Sequence, residues 1–105
     1  MAILHPTEAE FDELMNESGV LFVDFYADWC GPCKMLAPLV EKLDEEYAGK
    51  IKIAKIDVDK ETGLAMRFGV NSIPTVIIFK DGLQSATEIG FKPIDAYKGI
   101  IDSLI

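Results

Sequence analysis

Apolar positions along the chain switch between helical and strand-like spacing, and the switches divide it into a short series of elements. Thr7 and Glu10, three residues apart, form a capping-box pattern in which each side chain satisfies a free backbone N–H. Phe11, Leu14 and Met15 follow at helical spacing, which predicts a first helix. Asn16 to Gly19 interrupts it. Val20 to Tyr26 (VLFVDFY) is a continuous apolar run with β-branched and aromatic residues, and predicts a strand covered on both faces and central in a sheet. From Pro32 to about Tyr47, Leu36, Leu39, Val40, Leu43 and Tyr47 recur at intervals of three and four, opposite Glu41, Lys42, Asp44 and Glu45. This is the longest helix, and Pro38 inside it predicts a kink, because its nitrogen has no hydrogen for the Lys34 carbonyl. Ile51 to Val58 reads as a second buried strand and Glu61 to Phe68 as a short helix closed by Gly69. Thr75 to Lys80 and Gln84 to Ile89 are strand-like, and Asp81-Gly82 between them favours a tight antiparallel hairpin. Ile94 to Leu104 closes the chain as a helix with Tyr97, Ile100, Ile101 and Leu104 on one stripe. A strand-helix-strand half is thus followed by a hairpin-helix half.

At 105 residues this pattern fits a single domain over 1–105 with a core of its own. The apolar runs are too short for a membrane helix, which needs about 20 consecutive apolar residues, and Met1 to Thr7 does not read as a signal peptide. The expectation is a cytoplasmic protein without a membrane partner. A formal net charge of −8 leaves no basic footprint for phosphates, which argues against nucleic acid.

The chain has two cysteines, and they stand in Trp29-Cys30-Gly31-Pro32-Cys33-Lys34, where the central strand has ended and the longest helix begins. Cysteines three apart in a first helical turn lie on one side, close enough to join as a disulfide. Free N–H groups and the helix dipole stabilise negative charge at such an end, so the thiol pKa falls and Cys30 becomes the candidate nucleophile. Pro32 is tolerated in a first turn, and Gly31 lets a client backbone approach closely. Other uses of the pair fit less well. A closed zinc site asks for four ligands, and the one histidine, His5, is far away in the chain, so no metal is expected. Covalent haem attachment wants histidine where Lys34 stands. A structural disulfide over so small a loop would add little stability and would not persist in a reducing compartment.

Nearly the whole chain resembles the thioredoxin family, through DFYADWCGPCK (Asp24 to Lys34), Pro38, KIDVD (Lys55 to Asp59) and GVNSIPTVIIFKDG (Gly69 to Gly82). The resemblance implies an α/β thioredoxin fold, a central mixed β-sheet flanked by helices on both faces. Asp24 interrupts an apolar strand, where burial raises a carboxyl pKa. The resemblance implies that it accepts the proton of Cys33, the resolving thiol. Lys55 shares the parity of Ile51 and Ile53 and is a candidate partner of Asp24, although a strand lysine taken alone more often reaches out to solvent. For Pro74 the resemblance implies a cis bond after Ile73, next to the cysteine pair, where the backbone offers a strand-like edge to a client segment. Gly90 would lie on the same rim and leave room for the client, and Trp29 would flank Cys30 as an apolar contact surface. The chain departs from many relatives at Tyr26, where a second tryptophan is common, and at Phe91, where a small residue is common.

The implied activity is reduction of disulfides in client proteins through a reversible Cys30-Cys33 dithiol/disulfide, with a thioredoxin reductase as electron donor and the chain working as a monomer. No G-x-G-x-x-G fingerprint is present, so no NADPH or flavin cofactor is expected on the chain itself. Two other readings stay open at this stage. An oxidase or isomerase can be built on the same fold, since direction depends on the relative stability of thiolate and disulfide. A non-catalytic interaction subunit would not need its cysteines at all.

Overall fold

The computed structural model describes residues 3–105. Helix α1 spans Glu8–Met15. Its Thr7 cap accepts a hydrogen bond from Glu10 N–H while the Glu10 carboxylate accepts one from Thr7 N–H at 2.8 Å, the reciprocal box expected from the spacing. Strand β1 is Val20–Tyr26, helix α2 Gly31–Glu46, strand β2 Ile51–Asp57 and helix α3 Thr62–Arg67. Strands β3, Thr75–Lys80, and β4, Leu83–Ile89, precede helix α4, Ile94–Leu104. Strands β1 and β3 and helix α4 have the predicted bounds, and elsewhere a boundary moves by at most one residue. The helix α2 takes in Gly31 and runs on through Pro38, β2 stops before Val58, and Glu61 and Phe68 are the caps of α3.

The four strands lie in the order β2-β1-β3-β4. Strand β1 pairs parallel with β2 and antiparallel with β3, and β3 pairs antiparallel with β4, so the sheet is mixed and β1 is interior, as its largely apolar run predicts. Strand β2 is less covered than a doubly buried strand: Lys52 is exposed, and only an isolated parallel bridge from Leu4 to Ala54 lies beyond it.

Helices cover both faces. On one, Val20 and Phe22 of β1 and Val76 and Ile78 of β3 pack with Leu36, Val40 and Leu43 of α2 and with Tyr97 and Ile101 of α4. On the other, Leu21, Val23, Phe25, Ile77 and Phe79 pack with Phe11 of α1 and Leu64 of α3. Edge-to-face contacts of Phe68 with Phe11 and Phe79, at 5.5 and 5.6 Å between ring centres, add to the area burial on that side. With α1 and α3 on one face and α2 and α4 on the other, the end of β1, the start of β3 and the start of α2 meet along one edge of the molecule.

Candidate active site

The site begins where β1 leaves the core. Ala27 stays buried, Asp28 and Trp29 turn outward, and Cys30 caps α2 with extended backbone (φ −86°, ψ 114°). Cys30 and Cys33 are joined by a disulfide, with Cα atoms 5.2 Å apart. The Cys33 N–H, one of the free donors of the first helical turn, donates to Cys30 Sγ at 3.2 Å. The same N–H is a ready partner for a Cys30 thiolate once the bond is reduced, and the helix dipole acts in the same sense. Both cysteines are almost fully buried, while Gly31 and Pro32 between them are exposed.

The neighbouring wall comes from the loop before β3. The Ile73-Pro74 bond is cis, and Cys30 Sγ lies 3.8 Å from the Ile73 carbonyl oxygen. The Thr75 hydroxyl donates to the Ser72 carbonyl at 2.5 Å and ties that loop together. Gly90 N–H donates to the Pro74 carbonyl at 2.8 Å, which brings the end of β4 to the same rim. A side chain at Gly90 would meet nothing within 4 Å; glycine is required there by its backbone, at φ +86°. Trp29 is 70% exposed, a surface residue, and its indole N–H is anchored by the Asp59 carboxylate at 2.8 Å. Exposed Met35, Ile89 and Phe91 add apolar surface.

Beneath this rim, Asp24 is wholly buried, and neither carboxyl oxygen has a hydrogen-bond partner among the described residues. Burial pushes its pKa up to about 6, against the pull of the Lys55 charge. Lys55 is the register partner of Asp24 across the parallel β1/β2 pair, which fits the parity read from the sequence. Its ammonium sits 4.5 Å from the centre of the Tyr26 ring, a cation-π contact, and does not hydrogen-bond to Asp24. A cavity of about 140 Å³ lies beside Lys55 and Cys33, lined also by Tyr26, Ala27, Asp28, Lys34 and Ala37.

Comparison with known proteins decides the family. The family model "Thioredoxin" matches residues 2–103. The chain belongs to the thioredoxin family. It is 47% identical over 102 residues to a thioredoxin from Bacillus subtilis and 48% identical over 102 residues to one from Staphylococcus aureus, covering 97% of each chain in both cases. A solved mutant thioredoxin from Halobacterium salinarum NRC-1 superposes with a TM-score of 0.88 at 41% identity, over 97% of this chain and 88% of that one. With its cysteines at disulfide distance, this thioredoxin-family chain is a thiol-disulfide oxidoreductase, a protein-disulfide reductase.

Sequence reasoning missed two groups of the thioredoxin site. Asp59, the acceptor for Trp29, lies 30 positions away in the loop after β2. The alternating acids of IDVD were its only signal, and Asp57, the other of them, turns its carboxylate to the Asp59 N–H at 2.9 Å. The second is Tyr26 as a seat for Lys55, which depends on side-chain directions on two adjacent strands.

Proposed function

We propose that Cys30 is the nucleophile and Cys33 the resolving thiol of the reductase cycle. In the reduced protein the Cys30 thiolate attacks one sulfur of a client disulfide, forming a mixed disulfide and releasing the other client sulfur as a thiol. Cys33 then loses its proton to Asp24, and its thiolate attacks Cys30 Sγ. The second client sulfur leaves reduced, the Cys30-Cys33 disulfide is restored, and two electrons have passed from the pair to the client. A carboxyl with a pKa of about 6 is mostly ionised at neutral pH and is basic enough to take a proton from a thiol. Lys55, one strand away, favours that ionised form.

The client lies along the rim formed by Trp29, Gly31, Pro32, Ile73, Pro74 and Gly90. The strand-like edge at the cis bond would accept backbone hydrogen bonds from an extended client segment, as in recognition by strand addition. Clients are disulfide-containing proteins, and a thioredoxin reductase returns the electrons, because the fold has no dinucleotide fingerprint of its own. The protein works as a monomer in the cytoplasm. No helix among the described residues is long and apolar enough to cross a membrane.

The observation that carries this reading is the disulfide at the α2 N-terminus, with the Cys33 N–H aimed at Cys30 Sγ. Its test is a trapping experiment with a disulfide-bonded protein substrate. Cys33→Ser is expected to accumulate a mixed disulfide through position 30, detected by mass spectrometry, and Cys30→Ser to form none. Equal trapping by both variants, or full turnover by Cys33→Ser, would overturn the assignment of roles.

A further inference from the structure

Lys55 is the register partner of Asp24 across the β1/β2 pair, yet its ammonium does not close on that carboxylate. Among the described residues, no carboxylate lies within 4.0 Å of its nitrogen. The group it does meet is the ring of Tyr26, with 4.5 Å from the nitrogen to the ring centre. Tyr26 stands two residues beyond Asp24 on the same face of β1, and its own register partner is Asp57. Lys55 thus leans along the sheet to the next pair instead of straight across. Asp57 does not draw it further, because the Asp57 carboxylate is turned to the Asp59 N–H at 2.9 Å. Tyr26 and Lys55 together line two cavities. One, of about 140 Å³, is shared with Cys33, and the other, of about 230 Å³, also holds His5, Asp57, Lys60 and Glu61. A strand lysine with nothing to hold its long stem carries its charge out to water, as Lys52 does on the same strand, exposed and paired with Glu17. Lys55 is half-buried, and so is the ring that seats it.

We propose that Tyr26 is a positioning residue of the resolving step: its ring holds the Lys55 ammonium at the cavity shared with Cys33, beside its register partner Asp24, where the positive charge favours an ionised Asp24. The inference rests on the reading of Asp24 as acceptor of the Cys33 proton. The Lys55 charge pulls the Asp24 pKa down against burial, so an ammonium released to solvent, or to Asp57 and Glu61, leaves Asp24 protonated more of the time. A protonated Asp24 takes no proton, and the loss falls on the Cys33 step. Attack by Cys30 on the client comes before that step and does not use Asp24. Tyr26 itself stays a neutral phenol, since burial and the Asp57, Asp28 and Asp24 charges all raise its pKa, so the contact is one of a cation with a ring face.

The test is a double-mutant cycle between positions 26 and 55, read with a disulfide that joins two different short cysteine peptides. At peptide concentrations that make the Cys30 attack fast, stopped-flow follows release of the first peptide thiol by Cys30 and of the second by Cys33. Tyr26→Leu, which keeps an apolar filler and loses the ring, is expected to slow the second release about threefold at neutral pH, the size of a partly exposed cation-π contact, and to leave the first unchanged. Tyr26→Phe keeps the ring and should release the second peptide at the parent rate. With Lys55→Met in place, Tyr26→Leu should make no further difference. An unchanged second release in Tyr26→Leu would overturn the proposal. So would the same slowing in the Lys55→Met background, because the ring would then act by packing alone. The acceptor reading is judged separately by Asp24→Asn: a second release at full rate in that variant removes the reading, whereas a slowed release with no coupling between positions 26 and 55 keeps it and removes the proposal.

Discussion

Ionising Asp24 inside an apolar layer is opposed by the loss of water, and the Lys55 charge one strand away offsets only part of that cost. The consequence for stability has a definite sign. Because the folded pKa of about 6 lies above the ordinary 3.8, the folded chain binds this proton more tightly than the unfolded chain does. Stability from this group is greatest at low pH, falls as pH rises from the ordinary value to about 6, and is level above that. Asp24→Asn removes the dependence, so denaturation at a series of pH values should show the variant gaining on the parent by about 2.4 kcal/mol between pH 4 and pH 7. A difference independent of pH would contradict the burial account. Asp24 was legible in the sequence because it is a lone carboxylate in VLFVDFY. Asp59 was not, since its significance depends on the Trp29 indole that the fold brings beside it.

Among the elements, the β3/β4 hairpin shows which local signals suffice. Asp81 and Gly82 both have positive φ, 52° and 79°, as the turn dipeptide predicts. The turn is also held from outside: the Asp81 carboxylate accepts from Gly19 N–H at 2.7 Å, and Asp81 N–H donates to the Gly19 carbonyl at 2.9 Å. A Cβ on Gly82 would stand 2.6 Å from the Met15 carbonyl oxygen as well as forcing a poor φ. Gly82→Ala is therefore expected to lower stability by more than about 1 kcal/mol, read from the urea midpoint, with the disulfide chemistry intact. An unshifted midpoint would mean that the turn relaxes freely. The capping box and the turn dipeptide were visible because their partners are three residues or fewer apart. The register shift at Ile78/Phe79 and the Leu4 to Ala54 bridge were not, because both express pairings between distant segments.

For the whole molecule, the sheet order places the interior strand β1 and the cis-proline loop before β3 at the N-terminus of α2. One edge thus gathers a helix end that favours thiolate, the backbone at the cis bond and a buried carboxyl. Periodicity predicted the elements, and the family resemblance implied the mixed sheet and the meeting of Pro74 and Gly90 with the cysteines, whereas the strand order is seen only in the fold. No local pattern ties positions 30, 74 and 90 together. The central claim is that this edge drives client disulfides open, and the equilibrium reduction potential of the Cys30-Cys33 pair, followed by Trp29 fluorescence in a graded thiol buffer, tests it most directly. The expected value lies below the cytosolic glutathione poise of about −220 to −260 mV, so that the reduced pair is the electron donor. A value well above that poise would make the pair a donor of disulfides and contradict the account.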